Sequence, residues 1–153
     1  MRDGTSLSVM PYTVPPDDWW REFVAEMPAR TGKFAVTRAD GSPHVTPIWV
    51  VLDGDQVVFT TGTDSLKAKA IRRDPRVCIC WDDDRPPFAF ATVFGTAELI
   101  DDLDTVRHWA TVIGGRYMGA DRAQEYGERN GVPTELTVRV TVTRVLAAYD
   151  VAD

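Results

Sequence analysis

The chain has 153 residues, of which 44% are hydrophobic and 26% charged, and its formal net charge is -6. This composition is typical of a globular protein with a single core. Because an acidic surface repels phosphate backbones, a nucleic-acid partner is not expected. The sequence has no apolar run approaching the roughly 18 residues of a membrane span and no apolar segment at its start, so we expect a cytoplasmic protein without a membrane partner.

The predicted elements begin with a loose segment and a helix. Residues 1 to 16 include three prolines and are predicted to form a flexible tail, which leaves residues 17 to 153 as one domain. A helix with Asp17 or Asp18 as its N-cap is indicated by the sequence DDWWREFVAEM. Three strands follow, KFAVTR, HVTPIWVVL and QVVFTT, and the Asp-Gly turns between them predict a three-stranded meander.

The second half of the chain adds three strands and further helices. A basic helix is predicted over residues 64 to 74, followed by the strands RVCICWD and PFAFATVFGTAELID, the second of which bends at Gly95. A helix over residues 103 to 113 and a second helical piece precede a long alternating strand, ELTVRVTVTRVLAAYD. The pattern predicts a mainly β protein, a closed or nearly closed six-stranded antiparallel barrel with peripheral helices.

The predicted strand HVTPIWVVL has two unusual features. Both of its alternating sets of residues are largely apolar, so we expect burial on both sides of the strand, one of them against a second subunit. Pro47 removes a hydrogen-bond donor from the ladder, which indicates either an edge strand or a flat heterocycle bound against the free backbone groups. The residues leave both interpretations open.

The basic helix is the most informative segment for function. Residues 57 to 77 contain five of the seventeen basic residues of this acidic chain. At 100° per residue, Lys67 falls on the apolar face with Leu66, Ala70 and Ile71. An ammonium group there requires an anion, so we predict a ligand phosphate at the helix N-terminus, unless Lys67 extends past its neighbours into solvent. The hydroxyls available to such a phosphate belong to Thr60, Thr61 and Ser65.

The sequence offers few residues for hydrolytic catalysis or for metal binding. The chain has two histidines, His44 and His108, and lacks the motifs of serine hydrolases and zinc proteases. We therefore expect neither a catalytic triad nor a metal site. If the protein is an enzyme, we expect its reactive group to come from a cofactor.

Four stretches, DGSPHVTPIWVVLDGD, VVFTTGTDSLK, KAIRRDPRV and FGTAELID, occur in an order that resembles a known family. It is the split β-barrel flavin and deazaflavin oxidoreductases, the pyridoxamine 5'-phosphate oxidase-like superfamily, and the likeness covers about residues 33 to 149. It is strongest to the branch that uses the deazaflavin coenzyme F420, whose helix after the third strand commonly reads K-x-x-N-L-R-R-D-P-R-V. The resemblance implies a homodimer with a cofactor, F420 or alternatively FMN, in a groove between the subunits.

The resemblance also implies roles for individual residues. The cofactor ring is expected along the second strand, at Val45, Thr46, Pro47, Ile48 and Trp49, and its phosphate at Thr60, Thr61, Ser65 and Lys67. Further cofactor candidates are Arg72, which either reaches the cofactor tail or faces water, and Phe88, as an aromatic wall with Trp81. Arg116 and Tyr117 are candidates for the substrate side, Tyr117 also for stabilising charge on the acceptor, although a surface arginine and a structural tyrosine are equally consistent with the sequence.

Three departures from the family pattern help to choose among the cofactors and reactions that the family uses. Leu66 precedes Lys67 where FMN-dependent oxidases usually have an Arg-Lys pair, and Ala70 replaces the asparagine of the deazaflavin branch. The C-terminus lacks the arginine and histidine pattern that holds pyridoxamine phosphate, which disfavours vitamin B6 oxidation. We therefore predict hydride transfer from reduced F420 to an electron-poor small-molecule acceptor. The alternatives are an FMN-binding oxidoreductase and a non-catalytic protein that binds a flavin, a deazaflavin or haem.

Overall fold

The structure is a computed structural model that describes residues 13 to 152. Its seven strands are β1 Gly32–Thr37, β2 Pro43–Ile48, β3 Val51–Asp53, β4 Gln56–Gly62, β5 Arg76–Asp83, β6 Ala89–Ile100 and β7 Glu135–Ala148. Its α-helices are α1 Trp19–Ala25, α2 Leu66–Arg73, α3 Leu103–Met118 and α4 Ala123–Asn130, and a short 3-10 helix precedes α4. The strands form one antiparallel sheet in the order β2-β1-β5-β6-β7-β4-β3. A mainly β protein is confirmed.

The sheet curls around its own core. Phe34 on β1 and Phe59 on β4 touch edge to face with ring centroids 4.9 Å apart, although three strands separate β1 from β4 in the sheet order. Successive side chains of a strand point to opposite faces, and the buried residues of β1 face the inside of this curl. β4 is buried on both faces, because Val58 on its outer face packs against Ile113 of α3. The fully buried Trp81 belongs to the core inside the curl.

The predicted strand HVTPIWVVL is in fact two strands at opposite edges of the sheet. Trp49 and Val50 connect β2 to β3, and the amide of Val50 donates to the hydroxyl of Tyr117 at 3.0 Å instead of to a neighbouring strand. The count is therefore seven strands, not six. Within residues 13 to 152, β2 and β3 do not pair, so the sheet is not closed. Both predicted hairpins are confirmed, since β1 pairs with β2 and β3 pairs with β4, but the break at Trp49 and Val50 divides the predicted meander between the two edges of the sheet.

Burial on both sides of the second strand is not found within one chain. Pro43, Val45 and Pro47 on β2 are exposed, Val45 by 59%, because β2 is an edge strand and this face has no cover in the described part of the chain. Of the two interpretations of Pro47, the edge strand is confirmed. Cover of this face by a second subunit stays a prediction.

Two glycines, Gly95 and Gly114, influence the geometry of β6 and α3. The sheet register shifts between Phe94 and Gly95, which confirms the predicted bend in β6. The third helix, α3, continues through Gly114 to Met118 instead of ending at residue 113. Glycine suits position 114 because α4 packs closely against it, and a Cβ on Gly114 would overlap the Cβ of Tyr126. α3 covers the outer side of β4, and α4 packs on α3.

Residues 1 to 12 of the predicted tail lie outside the described residues. Thr13 forms a two-bond antiparallel bridge with Tyr149, with N–O distances of 3.0 Å in both directions. From residue 13 to residue 152, the structure has no helix with the length and apolar character needed to cross a membrane.

Candidate functional site

A cavity of about 410 Å³ opens where β2 ends, β4 runs into α2, and α3 crosses β4. The cavity is lined by Thr31, Pro47, Ile48, Trp49, Thr60, Thr61, Gly62, Lys67, Ala110, Ile113, Gly114, Asn130 and Glu135. This volume lies in the range of about 300–1,000 Å³ that is usual for ligand and cofactor sites. Six of the residues predicted to bind a cofactor are therefore brought together: Pro47, Ile48, Trp49, Thr60, Thr61 and Lys67.

The start of α2 is held in place by side-chain hydrogen bonds. Ser65 is the N-cap, and its oxygen accepts from the amide of Ala68 at 3.0 Å. The same hydroxyl lies 2.9 Å from that of Thr61, which is buried at the end of β4. Ser65 therefore anchors the helix but does not line the cavity. Thr61 lines the cavity and also holds Ser65 through their hydroxyl contact.

Lys67 lies on the wall of the cavity, close to the start of α2. Its side chain is half-buried on the cavity wall, and its ammonium donates to the Thr46 hydroxyl on β2 at 3.3 Å. No carboxylate among residues 13 to 152 forms an ion pair with it. The predicted helix face is partly different: Ala68, Ala70 and Ile71 are its buried residues, and Leu66 is 37% exposed.

Glu135, which sequence reasoning did not select, lines the same cavity. It is the first residue of β7 and pairs with Gly62 at the end of β4. Burial raises the pKa of its carboxyl group above the usual value, and the charge of Lys67 opposes that rise. The cavity thus contains both an ammonium and a carboxylate. Only the β4–β7 register brings residue 135 near residue 67, so no local motif could have indicated it.

The cavity also has apolar lining residues, one of which is held by an aromatic stack. Trp49 stacks on Tyr117 with ring centroids 5.1 Å apart and an interplanar angle of 4°. Ala110, Ile113 and Gly114 of α3 complete the wall. The sequence signal for these residues was the 3–4 spacing of small and apolar residues along α3, which by itself indicates burial, not a site.

The two proposed substrate residues bind backbone groups. The Tyr117 hydroxyl donates to the Arg30 carbonyl at 2.7 Å and accepts from the Val50 amide at 3.0 Å. The Arg116 guanidinium donates to the carbonyls of Val24 and Ala25 at the end of α1. Neither side chain lines the cavity in the single chain. Both are engaged in holding separate segments together.

Three further candidates also lie outside the cavity lining. Arg72 donates to the Thr63 carbonyl at 2.9 Å and so braces the turn between β4 and α2. Val45 is on the exposed face of β2. Phe88 is 38% exposed in the turn between β5 and β6, where it borders a different depression. Within one chain, these side chains do not meet those of the cavity.

The chemistry of the lining fits an anionic cofactor with a flat ring. Lys67, Thr60 and Thr61 offer a charge and hydroxyls, and Ile48, Trp49 and Ile113 offer apolar surface.

The chain belongs to the pyridoxamine 5'-phosphate oxidase family, whose sequence model matches residues 17–148. It shares the split-barrel fold of that superfamily. Among solved structures, it is similar to the conserved hypothetical protein Rv2991 from Mycobacterium tuberculosis, with a TM-score of 0.79 and 24% identity over 92% of this chain and 88% of that chain. It is also similar to a protein named F420 Reductase, with a TM-score of 0.70 and 25% identity over 87% of this chain and 98% of that chain. No curated protein sequence is significantly similar to the chain.

Proposed function

We propose that this protein is an F420-dependent reductase that transfers hydride from the reduced deazaflavin to an electron-poor small-molecule acceptor. The observation that carries the proposal is the Lys67 ammonium, which is half-buried on the cavity wall and bonded there to a neutral hydroxyl at 3.3 Å. A half-buried cation is costly unless an anion accompanies it. A cofactor phosphate would supply that anion. The similarity to F420 Reductase, which extends over 98% of that chain, supports the choice of cofactor.

The residues of the cavity would bind and orient the cofactor. Lys67 and the hydroxyls of Thr60 and Thr61 would hold its phosphate end, while Trp49, fixed by its stack on Tyr117, would support a flat ring. The apolar side chains of α3 would exclude water from the reacting end. When bound, the deazaflavin supplies the two-electron hydride chemistry that the chain's own residues lack.

The proposal includes a homodimer. The exposed apolar face of the edge strand β2, with Val45 and Pro47, borders the cavity and is the kind of surface that a second copy would cover. A second chain could also bring the side chains that lie outside the cavity of one chain toward the cofactor of the other.

An FMN-dependent oxidoreductase is the second candidate. It is favoured by the match to the pyridoxamine 5'-phosphate oxidase family, which covers residues 17–148. A protein that binds a flavin, a deazaflavin or haem without turnover is the remaining outcome of the experiments below.

Substitution of Lys67 tests the proposal directly. We expect Lys67→Ala to raise the Kd for F420 about 10- to 150-fold, because a charge-assisted hydrogen bond contributes about 1.5–3 kcal/mol. Fluorescence titrations with F420 and with FMN measure this effect. Lys69→Ala is the matched control, since Lys69 lies on the same helix with its side chain exposed, and it should bind F420 as the parent does.

Two results would contradict the proposal. Equal F420 affinity in Lys67→Ala and the parent would remove Lys67 from the site, and strong binding of FMN with none of F420 would favour the second candidate. Anaerobic mixing of the reduced coenzyme with quinones and enones then separates a reductase from a non-catalytic binder, because only the reductase restores the absorbance of the oxidised coenzyme.

A further inference from the structure

The Glu135 carboxylate lies beside the start of α2. A Cβ placed on Gly62 would be 4.0 Å from Oε1 of Glu135 and 4.0 Å from Cβ of Ser65, the N-cap of the helix. The acid therefore faces the same end of the cavity as Lys67 and the threonine hydroxyls. A carboxylate here is unexpected in an anion site, since like charges repel at short range.

The cavity lining carries one charged group of each sign. Among the described residues that line it, Lys67 and Glu135 alone are charged. They do not form an ion pair, and the Glu135 carboxylate makes no side-chain hydrogen bond within residues 13 to 152. Glu135 contributes to the fold through its backbone, which donates to the Val132 carbonyl at 3.0 Å and pairs with Gly62. Its side chain is thus available to act on a ligand.

We propose that Glu135 selects the charge state of the cofactor phosphate, favouring a singly charged phosphodiester over a doubly charged phosphomonoester. The inference rests on the proposed binding of the phosphate near Lys67. Coenzyme F420 carries its phosphate as a diester with one negative charge, which the Lys67 ammonium neutralises. The monoester of FMN carries about -1.5 to -2 at pH 7, so its second charge meets the carboxylate of Glu135 without a further cation. Specificity here comes from a repulsive group placed against the wrong ligand.

Glu135→Gln tests this selection, because glutamine keeps the size of the side chain and removes its charge. The probes are FMN, riboflavin, which has the same ring without phosphate, and F420. The ratio of the riboflavin Kd to the FMN Kd isolates the contribution of the phosphate. We expect Glu135→Gln to bind FMN at least about tenfold more tightly, because removing one charge roughly 5 Å from a dianion has about this effect even at the dielectric constant of water. Its riboflavin affinity should change less than about twofold, and its F420 affinity should rise less than that for FMN.

Control variants separate this effect from changes in the fold or in the overall charge. Glu98→Gln removes the same charge from an exposed position on β6 and should leave the ratio unchanged. Glu135→Ala serves as the second variant, and it should raise the ratio in the same direction if Glu135→Gln folds poorly. Urea unfolding of each variant reports whether the fold is retained.

The outcomes distinguish the two proposals. If the parent binds F420 and Lys67→Ala weakens that binding, but Glu135→Gln leaves the riboflavin-to-FMN ratio within twofold of the parent, the role of Glu135 is overturned and the cofactor site stands. If the parent binds none of the three probes, both proposals are overturned. A raised ratio in Glu98→Gln as well would also overturn the role of Glu135, since the effect would then come from net charge.

Discussion

Tyr117 is the residue whose two possible roles can be separated most sharply. In Tyr117→Phe, one oxygen is removed while the ring that stacks on Trp49 remains. That oxygen bonds two backbone groups from different segments, the Arg30 carbonyl at 2.7 Å and the Val50 amide at 3.0 Å. The Val50 amide lies between β2 and β3, where the chain passes from one edge of the sheet to the other.

The expected cost follows from these two bonds. Each contributes about 1 kcal/mol to stability, so their loss should lower the free energy of unfolding by about 2 kcal/mol. For a chain of this length, 1 kcal/mol corresponds to about 2–4 °C in Tm, which predicts a decrease of about 4–8 °C. If Tyr117 instead served only the substrate, stability would be unchanged and only turnover would fall.

Urea unfolding followed by tryptophan fluorescence measures the change, and thermal unfolding checks it. Tyr149→Phe is the matched control, because its ring packs near Trp19 and its hydroxyl makes no hydrogen bond within residues 13 to 152. It should be nearly as stable as the parent. A loss below about 0.5 kcal/mol in Tyr117→Phe would refute the structural role derived from the two bonds.

Two other predictions concern the fold and its charges. Gly95→Ala should lower the free energy of unfolding by about 2–3 kcal/mol, because the new Cβ would overlap the Thr141 carbonyl oxygen. Gly62→Ala is the control, since its Cβ would meet no atom nearer than 3.9 Å. It should be far less destabilised in the same urea titration. Hydrogen bonds from Arg85 lower the pKa of the Asp83 carboxyl from 3.8 to about 2, so its contribution to stability is full above pH 3.8 and is lost as the pH falls toward 2. Carbon NMR should show this low midpoint in the parent and a value nearer 3.8 in Arg85→Gln; an unshifted midpoint in the parent would contradict it.

Local sequence signals predicted most elements because local chemistry decides them. The periodicity of the basic segment indicated the helix after β4, and Gly95 within a long strand indicated the bend in β6; each signal acts on the backbone near its own position. The strand HVTPIWVVL was misjudged for the opposite reason. Its division depends on Tyr117, which lies 67 residues away from Val50, and no pattern within the strand records that bond.

The candidate site was predictable to the extent that it is built from consecutive residues. Pro47, Ile48 and Trp49 are adjacent in the chain, and Lys67 follows Thr60 and Thr61 closely enough for one strand and one helical turn to bring them together. The residues from α3, α4 and β7 could not be selected, because apolar spacing indicates burial in general and does not reveal which buried surface borders a cavity.

By itself, the sequence determined that this is a mainly β protein with a basic helix after a strand, and it placed Lys67 on the apolar face of that helix without deciding between the interior and solvent. These properties follow from hydrophobic periodicity and capping, which act over a few residues. The tertiary structure alone decided that β2 and β3 occupy opposite edges of the sheet and that Glu135 shares a cavity with Lys67. Strand pairing joins distant parts of the chain through backbone hydrogen bonds that are the same for every residue, so the register between β4 and β7 is set by the packing of the whole core.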